Sequence, residues 1–270
     1  MDARASLRAR YGADVPSPAV WNGTLDLLLA HRSVRRYLPD ALPDGALQAA
    51  IAAAQSASTS SNLQLWSVIA IEDAARKARL SALCGGQAHV ARAPLVLAFI
   101  ADLSRLRRIS AQLGEPGQGL DYVEAFLLAV VDAALAAQNV AIAFESLGLG
   151  TCYIGALRNQ PDAVSAELAL PHDTFALFGM TVGVPDPARP ASVRPRLAPS
   201  AVLMRERYDA AAQDAAIAAY NERLRLFQKA QGMPEQDWAA QSARRMRDAD
   251  ALTGRHVLRG FLEKIGFPLR

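Results

Sequence analysis

Three short clusters of cationic and hydroxyl side chains stand on breaks between regular segments. They are His31-Arg32-Ser33-Val34-Arg35-Arg36, Ser58-Thr59-Ser60-Ser61-Asn62 and Arg194-Pro195-Arg196. Arginines beside a serine at a helix end can chelate a phosphate through charge-assisted hydrogen bonds. The same arginines can also do no more than answer the negative end of a helix macrodipole. The serine run reads equally as a helix-stopping loop, because hydroxyl and amide side chains compete for backbone partners. The third cluster reads equally as a solvated basic turn stiffened by proline. Together the three point to a phosphate-bearing ligand without saying which one.

Other chemistries find less support. The histidines His31, His89, His172 and His256 are scattered without metal-ligand spacing, so no metal is expected. Cys84 and Cys152 form no C-x-x-C pair and fit a reducing cytoplasm. There is no nucleophile elbow and no Walker loop, and Gly148, Gly150 and Gly155 imitate a dinucleotide fingerprint only with the wrong spacing. Lys+Arg number 29 against Asp+Glu 26, a net charge of +3 that does not suggest wholesale nucleic-acid binding. The one basic stretch, 244–247, is followed by Asp248 and Asp250 and reads as a solvated helix face. The first twenty or so residues carry no apolar run of the signal-peptide kind. The apolar stretch 126–144 is interrupted by Asp132, Gln138 and Asn139, and reads as a buried helix rather than a membrane span.

The elements that must position these clusters follow from periodicity and breakers. The patterns predict helices over 24–31 (with Thr24 as N-cap), 44–57, 74–83, 122–147 and 161–168. They predict strands over 65–71, 94–100 and 175–184, with 151–157 short and extended. Gly85-Gly86 stops one helix. The segment 103–120 reads as loop because of Gly114, Pro116, Gly117 and Gly119. The helix over 122–147 is apolar almost all round, as helices through the middle of a core are. Residues 185–200 are too rich in Pro and Arg for regular structure. From about Ala201 the chain reads as helical. Strands and helices mix without a βαβα rhythm, which favours α+β. At 270 residues and 51% hydrophobic content, one domain with an extension is as reasonable as two domains.

At these residues the sequence resembles the nitroreductase superfamily, and within it the NADPH-dependent oxygen-insensitive nitroreductase and flavin reductase P subgroup. The blocks that carry the resemblance are "HRSVRRY" at 31–37, "SASTSSNLQLWSVIAIED" at 56–73, "GGQAHVARAP" at 85–94, "VVDAALAAQNVAIAFESLGLGTCYIGALRN" at 130–159 and "LFGMTVGVPD…RPRLAPS" at 177–200. Five blocks in the family's order make a strong signal where any one would be weak. The resemblance implies an α+β fold with a mostly antiparallel sheet wrapped by helices and a helical C-terminal extension. Its divisions are an N-terminal extension over 1–23, an FMN-binding domain over 24–208 and the extension over 209–270. It implies a homodimer with FMN at the subunit interface, while the cysteine usage, the charge balance and the interrupted apolar helix point to the cytoplasm with no nucleic acid or membrane partner.

Carried over residue by residue, the resemblance implies that His31, Arg32, Ser33 and Arg35 hold the FMN phosphate, ribityl chain and pyrimidine edge. Arg35 is the cation expected near N1, where it would favour the two-electron-reduced cofactor. Thr59 and Ser60 match the serine run beside the flavin, and Gln87 a flavin-edge contact. Tyr153, Ile154 and Gly155 match the segment whose backbone passes N5, with Ala156 where the family has a second glycine. Arg194 and Arg196 match a phosphate-side pair, and Glu124 an acid at the substrate mouth. The implied activity is ping-pong, two-electron transfer from NADPH or NADH to nitroaromatics, quinones or related acceptors. A flavin reductase supplying reduced flavin is the neighbouring reading, and a non-catalytic flavin-carrying or interaction protein the reading of a different class. Where the subgroup carries Thr-Arg-Gly in a loop that meets the NADPH 2′-phosphate, this chain has Ala230-Gln231-Gly232 followed by Glu235 and Asp237, which predicts a weakened NADPH preference.

Overall fold

The computed structural model describes residues 3–12 and 18–270. Residues 1–2 and 13–17 of the expected N-terminal extension lie outside the described residues. Along the chain the helices and strands are α1 (Ala3–Tyr11), α2 (Gly23–Leu29), α3 (Ala46–Gln55), β1 (Trp66–Ile71), α4 (Ala74–Leu83), α5 (Ala88–Arg92), β2 (Leu95–Asp102), α6 (Ser104–Leu113), α7 (Val123–Ser146), β3 (Gly150–Ile154), α8 (Pro161–Glu167), β4 (Thr174–Gly183), α9 (Gln213–Ala230), α10 (Trp238–Arg245) and α11 (Leu258–Lys264). They fall into two compact units. One holds the described residues up to Arg32 together with Ser192–Leu252, the other Ser33–Ala191 and Thr253–Arg270.

The larger unit is built on a four-stranded sheet in the order β1-β2-β4-β3, antiparallel at every pairing. The α+β reading therefore holds. β2 is buried along its whole length, as a strand covered on both faces must be. On one face, Val96, Ala98 and Ile100 of β2 pack with Leu80, Val90 and Leu157. On the other, Leu95, Leu97 and Phe99 meet an alanine-rich seam between α3 and α7, where Ala46, Ala50 and Ala54 lie with Ala136, Ala137 and Ala141. Small side chains let two helices approach closely, and the seam carries the long helix across the sheet.

Several expectations are corrected here. The segment 104–113 is helical rather than loop. Leu103 and Leu106 give it an apolar side, and the breakers act only from Gly114, which ends α6 at φ 71°. Asn22, not Thr24, caps α2, its side chain accepting from Leu25 N at 3.0 Å. The extended run at 151–157 contributes a strand, β3, and then turns at Gly155. After Ala201 the next α-helix begins only at Gln213. The helix over 122–147 is not buried all round. Val123, Leu127, Val131 and Leu135, four residues apart, form an exposed apolar stripe, while Ala125, Ala129, Ala133 and Ala136 face the core. By length and composition α7 could cross a bilayer, yet its alanine face is core.

The smaller unit contains α1, α2, α9 and α10. Leu7 of α1, Ala201, and Tyr220 and Leu224 of α9 are among its buried apolar side chains, and Tyr220 meets Trp238 of α10 edge-on at 5.7 Å between ring centroids.

Candidate functional site

In the larger unit, residues 33–37 run extended beside β3. Ser33 bridges Thr151 in parallel, Val34 N donates to Thr151 O at 2.9 Å, and Tyr37 bridges Pro185. The alternation of an extended chain then does the sorting: Val34 is buried, while Ser33 and Arg35 face outward. The Tyr37 hydroxyl fixes the register by donating to Val34 O at 2.5 Å and lying 2.8 Å from Thr181 Oγ1. Burial pushes its pKa well above the ordinary phenol range, so it stays a donor.

The Gly85-Gly86 turn, at φ 73° and 71°, delivers Gln87 to the start of α5. Gln87 Nε2 donates to Cys84 O at 3.1 Å, and Ser81 Oγ donates to Gln87 O at 2.9 Å. Two residues on, His89 is buried and its Nε2 has no hydrogen-bond partner. Burial first, and then the charges of Arg35 and Arg36, hold its pKa below the ordinary imidazole value. Cys152 in β3 feels the same surroundings: burial raises its thiol pKa, against the opposing pull of Arg35 and a hydrogen bond with Ser33. Ser33 thus lies beside Cys152, and the charge of Arg35 is felt at both Cys152 and His89.

β3 ends at Gly155. A Cβ there would stand 3.4 Å from Arg158 Nη2 and 3.9 Å from Arg255 Nη1. Arg158 donates to Leu177 O, and Arg255 Nε donates to Asn159 Oδ1 at 2.9 Å. Ile154 is buried, so at that position only main chain can meet a ligand. Tyr153 is turned the other way, its ring 5.5 Å from that of Phe178 and its hydroxyl 3.4 Å from Gln138 Oε1. Ala156 is buried and is not among the left-handed residues, so this turn accepts a methyl where the family has glycine.

Thr59, Ser60 and Glu124 form a separate group around the first half of α7. Thr59 donates its hydroxyl to Asp132 Oδ2 at 2.6 Å. Ser60 N donates to Asp132 Oδ1 at 3.3 Å, and Leu65 N to Asp132 Oδ2 at 3.0 Å. The Thr59 hydroxyl is therefore spent on the loop, and exposed Ser60 is the hydroxyl presented outward. The loop needs such anchoring, since Ser61, Asn62 and Gln64 all take left-handed φ of 48°, 55° and 52°. Glu124 is exposed at the lip of an apolar cavity of about 280 Å³ lined by Leu63, Leu65, Leu120 and Leu128.

In the smaller unit Arg10 of α1 ties together the main chain at three of the four remaining basic residues, His31, Arg194 and Arg196. Its Nη2 donates to Leu29 O and His31 O, both at 2.7 Å, its Nη1 to Arg194 O at 2.8 Å, and its own carbonyl accepts from Arg196 N at 2.9 Å. Arg32 is exposed, its Nη1 3.1 Å from Ala30 O. Arg194 lies with its guanidinium 5.8 Å from the centre of the Phe227 ring. Sequence reasoning did not select Arg10, His89, Asp132, Arg158 or Arg255. Only Asp132 carried a legible signal, a lone carboxylate on the buried side of an apolar helix.

Comparison with known proteins places this arrangement. Residues 28–184 match the model of the nitroreductase family, and residues 194–270 that of the nitroreductase family C-terminal domain. The chain belongs to the nitroreductase family. Among its relatives, it is 39% identical to an FMN reductase (NADPH) of Bacillus subtilis over 72% of this chain and 77% of that one. It is also 39% identical to an oxygen-insensitive NADPH nitroreductase of Salmonella typhimurium, over 77% and 84%. The NADPH:FMN oxidoreductase of Vibrio harveyi, solved in complex with NAD+, superposes on this family member with a TM-score of 0.82 at 30% identity, covering 92% of this chain and all of that one (100%).

Proposed function

We propose that this family member is an FMN-dependent NAD(P)H oxidoreductase that reduces nitroaromatics, quinones or related acceptors by two-electron, ping-pong transfer. The observation that carries the reading is the seating of residues 33–37 along β3, which holds Ser33 and Arg35 outward beside the strand that ends at Gly155. The donor set suits a flavin mononucleotide. Ser33 and Arg35 offer a hydroxyl and a cation in line, and Gly155 offers main chain without a side chain. His31, Arg32, Arg194 and Arg196 offer cations for a phosphate. FMN, when bound, supplies the hydride-accepting and hydride-donating centre. Arg35 is the residue proposed to hold negative charge at the pyrimidine edge of the ring. Arg158 and Arg255 beside Gly155 are proposed to meet anionic parts of donor or acceptor. Glu124 is proposed to stand at the acceptor's way in.

The proposal includes a homodimer in a reducing cytoplasm. The apolar stripe of α7 supports a second copy, because an exposed row of Val123, Leu127, Val131 and Leu135 calls for cover. Cys84 and Cys152 are both free and buried, which suits a compartment without oxidative pairing. The test is the visible spectrum of the purified protein together with steady-state turnover of NADPH and NADH against nitrofurazone or menadione. Flavin absorption with turnover is expected, and a protein that binds no FMN and oxidises neither donor would overturn the reading.

A further inference from the structure

The N-terminal helix α1 precedes the residues matched by the family model, and nothing in the activity calls for it. Yet Arg10, in its last turn, is only 5% exposed, an uncommon fate for an arginine. Its guanidinium is given to main-chain carbonyls at three places, Leu29, His31 and Arg194, and its carbonyl takes the N–H of Arg196. The planar fork of an arginine suits this task, since several donors leave one rigid group in fixed directions. The rest of the smaller unit supports the same segment. Tyr220 donates its hydroxyl to Pro195 O at 3.0 Å, and Arg223 Nη1 lies 3.4 Å from Arg196 O. Ser6 and Trp21 both reach Asp26 Oδ1, at 3.4 Å and 3.1 Å, which ties α1 and the chain before α2 to α2 itself.

We propose that Arg10 is a positioning residue for phosphate recognition: by fixing the backbones of 31–32 and 194–196 together, it sets the cations of Arg32, Arg194 and Arg196 in advance for the phosphate of FMN. This rests on the assignment of those cations to the phosphate. The two segments carry three cations between them, and like charge drives such segments apart before an anion arrives unless the main chain is held. Arg10 does this from behind, through carbonyls, without occupying the place of the ligand. α1 then serves as a brace rather than as an appendage.

The discriminating measurement compares FMN with riboflavin, which lacks only the phosphate, in full-length apoprotein by fluorescence quenching or calorimetry. Arg10→Gln is expected to weaken FMN at least tenfold while riboflavin affinity changes less than twofold, so the FMN-to-riboflavin ratio collapses. Arg10→Lys, which keeps the charge but not the fork, is expected to fall between Arg10→Gln and wild type, and it supplies the reading should Arg10→Gln fail to fold. Equal losses for both ligands would overturn the proposal in favour of a merely structural role, as would an unchanged ratio. Arg32→Ala and Arg196→Ala separate the underlying assignment. If they collapse the ratio and the Arg10 variants do not, positioning fails alone. If they leave the ratio unchanged, the phosphate assignment itself falls, and positioning with it.

Discussion

Gly150 lies directly beneath Val34. A Cβ on Gly150 would stand 2.7 Å from the Val34 Cβ, closer than such atoms approach in folded proteins. The missing side chain lets residues 33–37 settle onto β3 and so sets how far Ser33 and Arg35 project. Gly150→Ala is expected to cost about 1–3 kcal/mol as overpacking and to weaken FMN retention. Adding Val34→Gly to it, which removes the opposing Cβ itself, should recover part of both losses. Thermal melts and flavin content of the single and double variants check this, and a Gly150→Ala protein with unchanged melting and flavin content would show that the segment is not seated by this contact.

His89 makes stability depend on pH. Its folded-state pKa lies below the ordinary imidazole value of 6.5, through burial and then through Arg35 and Arg36. The unfolded chain therefore takes up a proton near pH 6.5 that the folded chain refuses until lower pH. Stability contributed by neutral His89 is present above the unfolded pKa and lost as pH falls through the folded one. Melting temperatures at about pH 7.5 and about pH 5.5 should differ less in His89→Gln than in wild type. An equal difference in both would exclude His89 as the source.

The proposed dimer can be tested at the stripe on α7. Replacing Leu127 and Val131 together by Glu places two charges on an apolar contact, and few interface designs survive that. Light scattering is expected to give about twice the monomer mass for wild type and a value near 28.8 kDa for the double variant. Wild type at the monomer mass would refute the dimer.

The donor preference follows from how the loop after α9 is occupied. Arg225 is ion-paired with Asp237, Arg244 Nη2 donates to Gln236 Oε1 at 2.8 Å, and Gln231 Oε1 accepts from Ser192 Oγ at 2.8 Å. Two nearby arginines are thus engaged within the loop, which itself carries Glu235 and Asp237. This chain is expected to favour NADPH over NADH by less than about a hundredfold in kcat/KM, near 2.7 kcal/mol. Gln231→Arg should raise the ratio. A larger wild-type ratio would mean that another cation, such as exposed Lys229, meets the 2′-phosphate.

Much of the fold was legible because its signals are local. The Gly85-Gly86 stop, the strand runs and the length of α7 are written in neighbouring residues, and the structure places them within a few positions. The helix α6 was missed because breakers from Gly114 onward coloured the reading of a segment that holds none. The one-sided burial of α7 was missed because apolar residues on both faces leave no periodic contrast, and only the packing against α3 decides which face is core. At the site, motif residues could be named but not sorted. That Thr59 turns inward to Asp132 while Ser60 faces out depends on a partner 73 residues away. Arg10 was beyond reach for the same reason, since its contacts lie 19, 21 and 184 residues along the chain and are made to carbonyls, which every residue type carries alike.

The alanine seam between α3 and α7 bears on how this chain can change over generations. With Ala50, Ala136, Ala137 and Ala141 fully enclosed, almost any exchange there adds atoms where no space exists, so the seam admits little beyond glycine or serine. The opposite face of the same helix answers to whatever covers it, and can drift wherever that cover drifts in step. One helix therefore carries two clocks. The enclosed face should stand nearly still, and the outer face should record, as paired substitutions, the history of its counterpart.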